Sequence, residues 1–237
     1  ISPEAHTPVQ KQANRFVENK GQLVDMSGQP VPFVFFKTSA QCADVYVTEN
    51  GLTYVFLQTE KQQPELAPVM NPAQLDTPRL SKNLTGEMKW IRIDMNLKNA
   101  SIKKDNISYE GRSEDASHYY LAHCPNGITH VHSFTKIIIK NIYPGIDWVL
   151  YGSNNQGFKY DFIVHPGADP DQIRMVYSSE HNHDLTTTGD ISIKTDYGTL
   201  TEQAPVSFLN GQFIESQFEH VSTKKNTLGG FDVTIGF

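Results

Sequence analysis

Residues Ile137 to Val176 read IIIKNIYPGIDWVLYGSNNQGFKYDFIVHPGADPDQIRMV. This stretch holds two strand signals and two Pro-Gly turns. Side chains two apart on a strand share a face. Over Ile146 to Tyr151, Ile146, Trp148 and Leu150 therefore lie together, as do Phe158, Tyr160, Phe162 and Val164 over the next run. The polar segment Gly152 to Gly157 has hairpin length. The unit predicts antiparallel β structure.

Outward from it, alternation recurs. Ile91, Ile93, Met95 and Leu97 interleave with Trp90, Arg92, Asp94 and Asn96, and Phe231, Val233, Ile235 and Phe237 alternate at the end of the sequence. Shorter strands are expected at 33–37, 44–48, 52–57, 117–122, 129–134, 136–140, 173–177, 191–194, 206–209 and 212–218. Asn50-Gly51 and Asn210-Gly211 predict type I′ hairpin turns, because both residue types accept positive φ. Asn14 to Gln22 is expected to open with a helical turn ending at Gly21. The expected fold class is all-β, an antiparallel multi-sheet β-sandwich.

Residues 1–13 are polar and read as an N-terminal tail, ahead of a β-sandwich domain over 14–237. The Gln- and Pro-rich stretch 58–87, with Pro64, Pro68, Pro72 and Pro78, has no sustained period. It reads as a surface excursion, either a boundary between two subdomains or an insertion in one domain. An apolar strand at the last residue suggests a piece of a longer protein.

The 237 residues are 38% hydrophobic and only 19% charged, with net charge -6. That profile suits a secreted β protein and argues against a nucleic-acid partner. No run approaches the roughly 20 apolar residues of a membrane span. Cys42 and Cys124 leave two readings open, separate thiols or one bridge in an oxidising compartment.

Three segments carry a family resemblance: Phe16 to Gln22 (FVENKGQ), Asn141 to Tyr151 (NIYPGIDWVLY) and Lys159 to Ile173 (KYDFIVHPGADPDQI), followed by Ala204-Pro205-Val206. Together they resemble the uncharacterised DUF7948-like N-terminal domain found ahead of SBBP β-propeller repeats in secreted, gliding-motility-associated Bacteroidota proteins. The resemblance implies a mostly β, extracellular or cell-surface module with downstream domains in the same polypeptide. It implies no reaction. His130-Val131-His132 stands where relatives tend to have a tryptophan and a threonine-asparagine step, and the 58–87 excursion is longer than usual.

Pro144, Gly145, Pro166 and Gly167 are read as turn residues, Asp169-Pro170 as an N-cap with proline at the first helical position, and Asp147 and Asp161 as acceptors opposite the aromatic face. His118, His123, His130 and His132 crowd one region. His130 and His132, two apart, are expected on one face near solvent, and they are the metal candidates although a third ligand at motif distance is lacking. His181 and His183 repeat the spacing. Asp147, Asp161 and Glu110 are the candidate acid-base carboxylates of a glycosidase reading. Trp90, Tyr119, Tyr120 and Trp148 suit either a sugar-stacking face or core packing. Asn83-Leu-Thr85, Asn99-Ala-Ser101 and Asn106-Ile-Ser108 fit the glycosylation pattern, which in a bacterial protein marks exposed polar loops.

The expectation is a non-catalytic module for spacing, adhesion or ligand presentation, with no catalytic residues, no bound metal and no cofactor. Its partner is expected to be a surface glycan or protein. The alternative is a carbohydrate-active or metal-dependent hydrolase.

Overall fold

The computed structural model describes residues 14–40, 43–58, 89–153, 157–181, 183–227 and 229–237. The 1–13 tail, Cys42, almost all of the 58–87 excursion and Asn154 to Gln156 of the expected hairpin loop lie outside the described residues.

The strands in chain order are β1 (Phe16–Glu18), β2 (Val34–Ala40), β3 (Ala43–Thr48), β4 (Gly51–Gln58), β5 (Lys89–Leu97), β6 (Ile107–Glu110), β7 (Ser117–Leu121), β8 (Cys124–Val131), β9 (Ser133–Phe134) and β10 (Lys136–Tyr143). They continue with β11 (Ile146–Ser153), β12 (Gly157–Val164), β13 (Met175–Ser179), β14 (His183–Leu185), β15 (Ile191–Thr195), β16 (Gly198–Glu202), β17 (Ser207–Leu209), β18 (Gln212–Ile214), β19 (Glu219–Lys225) and β20 (Phe231–Gly236). A nine-stranded sheet runs β19-β20-β13-β5-β4-β3-β2-β1-β9, and a four-stranded sheet runs β12-β11-β10-β6. Strands β14, β15 and β16 form a third sheet, and β17–β18 and β7–β8 are two-stranded. Every strand pairing among the described residues is antiparallel, so the fold is all-β and multi-sheet.

Alternation explains the layers. Val45 and Val47 of β3, Tyr54 and Phe56 of β4, and Ile93 and Met95 of β5 turn inward together. They share one core with Ile137 and Ile139 of β10, Trp148 and Leu150 of β11, and Ile191 and Ile193 of β15. Full burial of each such side chain contributes about 1.5–3 kcal/mol. Strands β4 and β5 flank the 58–87 excursion and pair directly, from Gly51↔Asn96 to Gln58↔Lys89.

Three local expectations differ from the structure. Asn14 to Gln22 forms no helical turn: Phe16–Glu18 is a strand between β2 and β9, because fully buried Phe16 anchors it in the core. The Asn50-Gly51 turn is displaced by one residue. Glu49 and Asn50 span the turn without positive φ, and Gly51, at φ +145°, begins β4 opposite Thr48. Packing sets this, since a Cβ on Gly51 would lie 2.1 Å from the Met95 carbonyl oxygen. The second Asn-Gly turn has the expected form, with Asn210 at φ +52° and Gly211 at +79° between the paired Leu209 and Gln212. The third difference concerns His130 and His132, which do not share a solvent-facing face. A register break lies between the Tyr119↔Ile128 and Ser117↔Val131 pairs, and His130 takes φ +56° inside it. A bulge interrupts the period of two, so His130 stays exposed while His132 is only 8% exposed.

Candidate functional site

The Pro-Gly motifs build a corner of two stacked turns. Pro144-Gly145 links β10 to β11 as a two-residue turn closed by Tyr143↔Ile146, with Gly145 at φ +72°. A Cβ on Gly145 would meet that of Ala168 at 2.9 Å, so glycine lets the turns touch. In the second turn the Ala168 N–H donates to the His165 carbonyl at 3.0 Å across Pro166-Gly167, and the His165 N–H donates to the Gly145 carbonyl at 2.9 Å. Asp147 clamps both turns: it accepts from the Asn141 N–H at 2.8 Å and meets His165 Nε2 at 2.9 Å. Desolvation pushes its carboxyl up but is outweighed by the Asn141 N–H, by His165 and by the charge of Lys140, leaving it below the usual range. Asp169 accepts the Asp171 N–H at 3.0 Å and caps the 3-10 turn opened by Pro170.

The candidate acid-base carboxylates have different partners. Asp147 serves the corner, Asp161 accepts from the Tyr151 hydroxyl at 3.3 Å, and Glu110 pairs with Lys136 at 3.3 Å. The histidines divide as well. His118 and His130 meet edge to face at 5.1 Å, and His123 Nε2 lies 3.2 Å from the Gly21 carbonyl. The His132 ring sits between Arg112 (2.5 Å) and the Ser113 carbonyl (3.3 Å), and the His132 backbone N–H donates to the Glu18 carboxylate at 2.8 Å. The His183 ring packs 6.3 Å from that of Tyr177 with both nitrogens buried and unpartnered among the described residues, and desolvation lowers its pKa. Among the described residues, no group of three His, Cys, Asp or Glu side chains is placed to hold a metal ion. Trp148 is wholly buried, whereas Trp90 (β5) and Tyr120 (β7) are exposed on different sheets, so these aromatics share no face. Cys124 is half-buried with Sγ 4.0 Å from the Tyr119 carbonyl.

A recess of about 270 Å³ lies where β1 and β2 meet, lined by Asn14, Arg15, Val17, Lys37, Thr38 and Ser39. Its cations are already engaged. Arg15 donates to the Gly111 and Ser133 carbonyls at 2.6 and 2.9 Å, and Lys37 pairs with Asp44 at 2.7 Å.

The sequence reading did not single out Glu202, the one carboxyl among the described residues whose pKa is raised. It ends β16 and reaches into the place where three sheets meet. The Tyr177 (β13) hydroxyl donates to it at 3.3 Å, the Tyr160 (β12) hydroxyl, which donates to Met175 Sδ at 3.5 Å, lies beside it, and buried Tyr54 (β4) adjoins. Desolvation raises its pKa despite the opposing effect of the Tyr160 and Tyr177 hydroxyls. The same burial pushes the tyrosine hydroxyls well above their ordinary value. One sequence signal pointed here: Glu202 is two residues beyond Leu200, on the inward side of β16.

Beyond Glu202 the chain becomes an arm. The Ala204 N–H donates to Asp190 at 2.8 Å, and Ser216 Oγ donates to the Pro205 carbonyl at 3.3 Å, closing the root of the β17–β18 hairpin. Phe208 and Phe213 oppose each other across the hairpin with rings edge to face at 6.4 Å. Val206, Phe208, Leu209 and Phe213 are each more than 60% exposed, and Ile214 is 43% exposed. Leu209 and Ile214 lie on the face opposite the Phe pair, so the arm is apolar on both sides. A concentration of exposed apolar side chains marks a contact surface more often than a reaction centre.

No curated protein and no solved structure matches this chain. The model of a domain of unknown function, DUF7948, matches residues 16–236, from the first core residue of β1 to the last residue of β20, and the chain belongs to that family.

Proposed function

We propose that this domain is a non-catalytic contact module, secreted or at the cell surface, within a larger bacterial protein. The β17–β18 arm carries the reading. An antiparallel hairpin that exposes phenylalanine on one face and aliphatic side chains on the other gains most by inserting into an apolar groove, where both faces leave water. Its partner is a protein surface, either of another molecule or of a further domain in the same polypeptide, because aliphatic side chains offer glycan hydroxyls no hydrogen bonds. The fixed root suits adhesion or spacing, since a preorganised arm loses little freedom on docking. The surface location is supported by the family resemblance and by the acidic, weakly charged composition.

The test joins location and contact. Antibody labelling of intact cells that produce the full-length natural protein should find the domain outside. Phe208→Ser/Phe213→Ser in the same protein should release it from its partner and leave the melting temperature of the isolated domain unchanged. An intracellular location, or turnover of a glycan panel that Glu202→Gln abolishes, would refute the reading.

A further inference from the structure

Strand β12 leaves one edge of the four-stranded sheet open. Its residues pair with β11 without a register break, from Ile146↔Val164 to Ser153↔Gly157. Among the described residues, no strand and no backbone hydrogen bond occupies its other edge. The remaining edges of the two large sheets are guarded. Strand β19 has a register shift between His220 and Ser222 and carries Lys224 and Lys225, β9 is two residues long, and β6 is four. Bulges, lysines and shortness are the usual protections against edge pairing. Strand β12 has eight residues with no proline and no bulge, and its one lysine, Lys159, is balanced by Asp161 on the same face. On its core face Phe158, Tyr160 and Phe162 are half-buried. On its outer face Lys159 and Asp161 are exposed.

We propose that two copies of this chain join by antiparallel pairing of β12 with β12, about a two-fold axis through Tyr160, into one continuous sheet. Alternation and charge fix the register. Directly opposed residues of an antiparallel pair point to the same face, so the axis must pass through a residue. Centred on Lys159, the pairing opposes two lysines; centred on Asp161, two aspartates. Centred on Tyr160, Lys159 faces the partner's Asp161 and Asp161 faces the partner's Lys159. Phe158 then opposes the partner's Phe162, and the two Tyr160 positions lie opposite each other at the axis. The contact is self-complementary, as a two-fold interface requires. It satisfies the edge N–H and C=O groups. It is independent of the β17–β18 arm.

Sedimentation equilibrium over a dilution series tests it, with wild type, Lys159→Asp, Asp161→Lys, the double exchange Lys159→Asp/Asp161→Lys, and Phe208→Ser/Phe213→Ser. The wild type should be a reversible dimer. Each single reversal opposes like charges at two places and should weaken the dimer about tenfold or more, whereas the double exchange restores opposite pairs and should recover it. The phenylalanine variant should dimerise like wild type. A wild type that is monomeric at every concentration overturns the proposal. So does a dimer that ignores the single reversals, fails to recover in the double exchange, or dissociates in the phenylalanine variant instead.

Discussion

Glutamine at position 202 should change how stability depends on pH. The Glu202 carboxyl is raised first by desolvation, and the two tyrosine hydroxyls only partly oppose this. A carboxyl raised on folding binds its proton more tightly in the native state. Its contribution to stability is therefore complete below its unfolded value and declines as pH climbs through the folded one. Each pH unit separating the two values corresponds to about 1.4 kcal/mol. For a domain of this size that is about 3–6 °C in Tm. Glu202→Gln removes this titration but still offers an oxygen to Tyr177. Its new amide N–H group changes the hydrogen bonding there, a pH-independent cost of at most about 1–3 kcal/mol. The slope, and not the offset, is thus the test. Calorimetric melts of both proteins between about pH 4 and pH 8 should show the wild type losing ground to the variant as pH rises, then a constant gap above the folded pKa. A gap constant throughout, or one that grows in favour of the wild type with pH, would refute the reasoning. Either result would mean that the carboxylate is solvated or stabilised in its charged form.

Gly51→Ala should cost about 2 kcal/mol or more in urea unfolding, because a Cβ at φ +145° would press into the Met95 carbonyl. Trp148→Phe should cost only about 1–3 kcal/mol, below the range for truncating a buried aromatic to alanine, since the lost volume is offset by removing an indole N–H that has no partner among the described residues. Asp147→Ala should lower stability at neutral pH by about 1 kcal/mol, through lost bonds to the Asn141 N–H and His165. The Asp147 carboxyl is lowered on folding, so its contribution is present above its unfolded value and fades as pH falls through the folded one; melts in strong acid should show the two proteins converging. Phe208→Ser alone should move the unfolding free energy by less than about 0.5 kcal/mol, because its ring is already in water.

These perturbations also mark where the sequence was legible. The alternation of 91–97 and 158–162 reports which side chains turn inward, and β5 and β12 follow from it; Val164, expected on the same face, is 40% exposed at the strand end. Asn210-Gly211 was legible because nothing packs on that turn, so intrinsic φ preference decides its form. Asn50-Gly51 has the same dipeptide, but Met95 lies against it and tertiary contact decides instead. His130 and His132 failed for a related reason: one bulge inverts a face, and no local pattern announces it. Glu202 marks the deeper limit. Period two places it inward beside Leu200, yet an inward glutamate is tolerable only if a donor meets it. The donor comes from Tyr177, and Tyr160 and Tyr54 wall the same site, on three strands of two other sheets. Their convergence depends on the order β13-β5-β4 in one sheet and on the edge position of β12 in another. A linear pattern shows which way each side chain points; sheet order determines what it meets there.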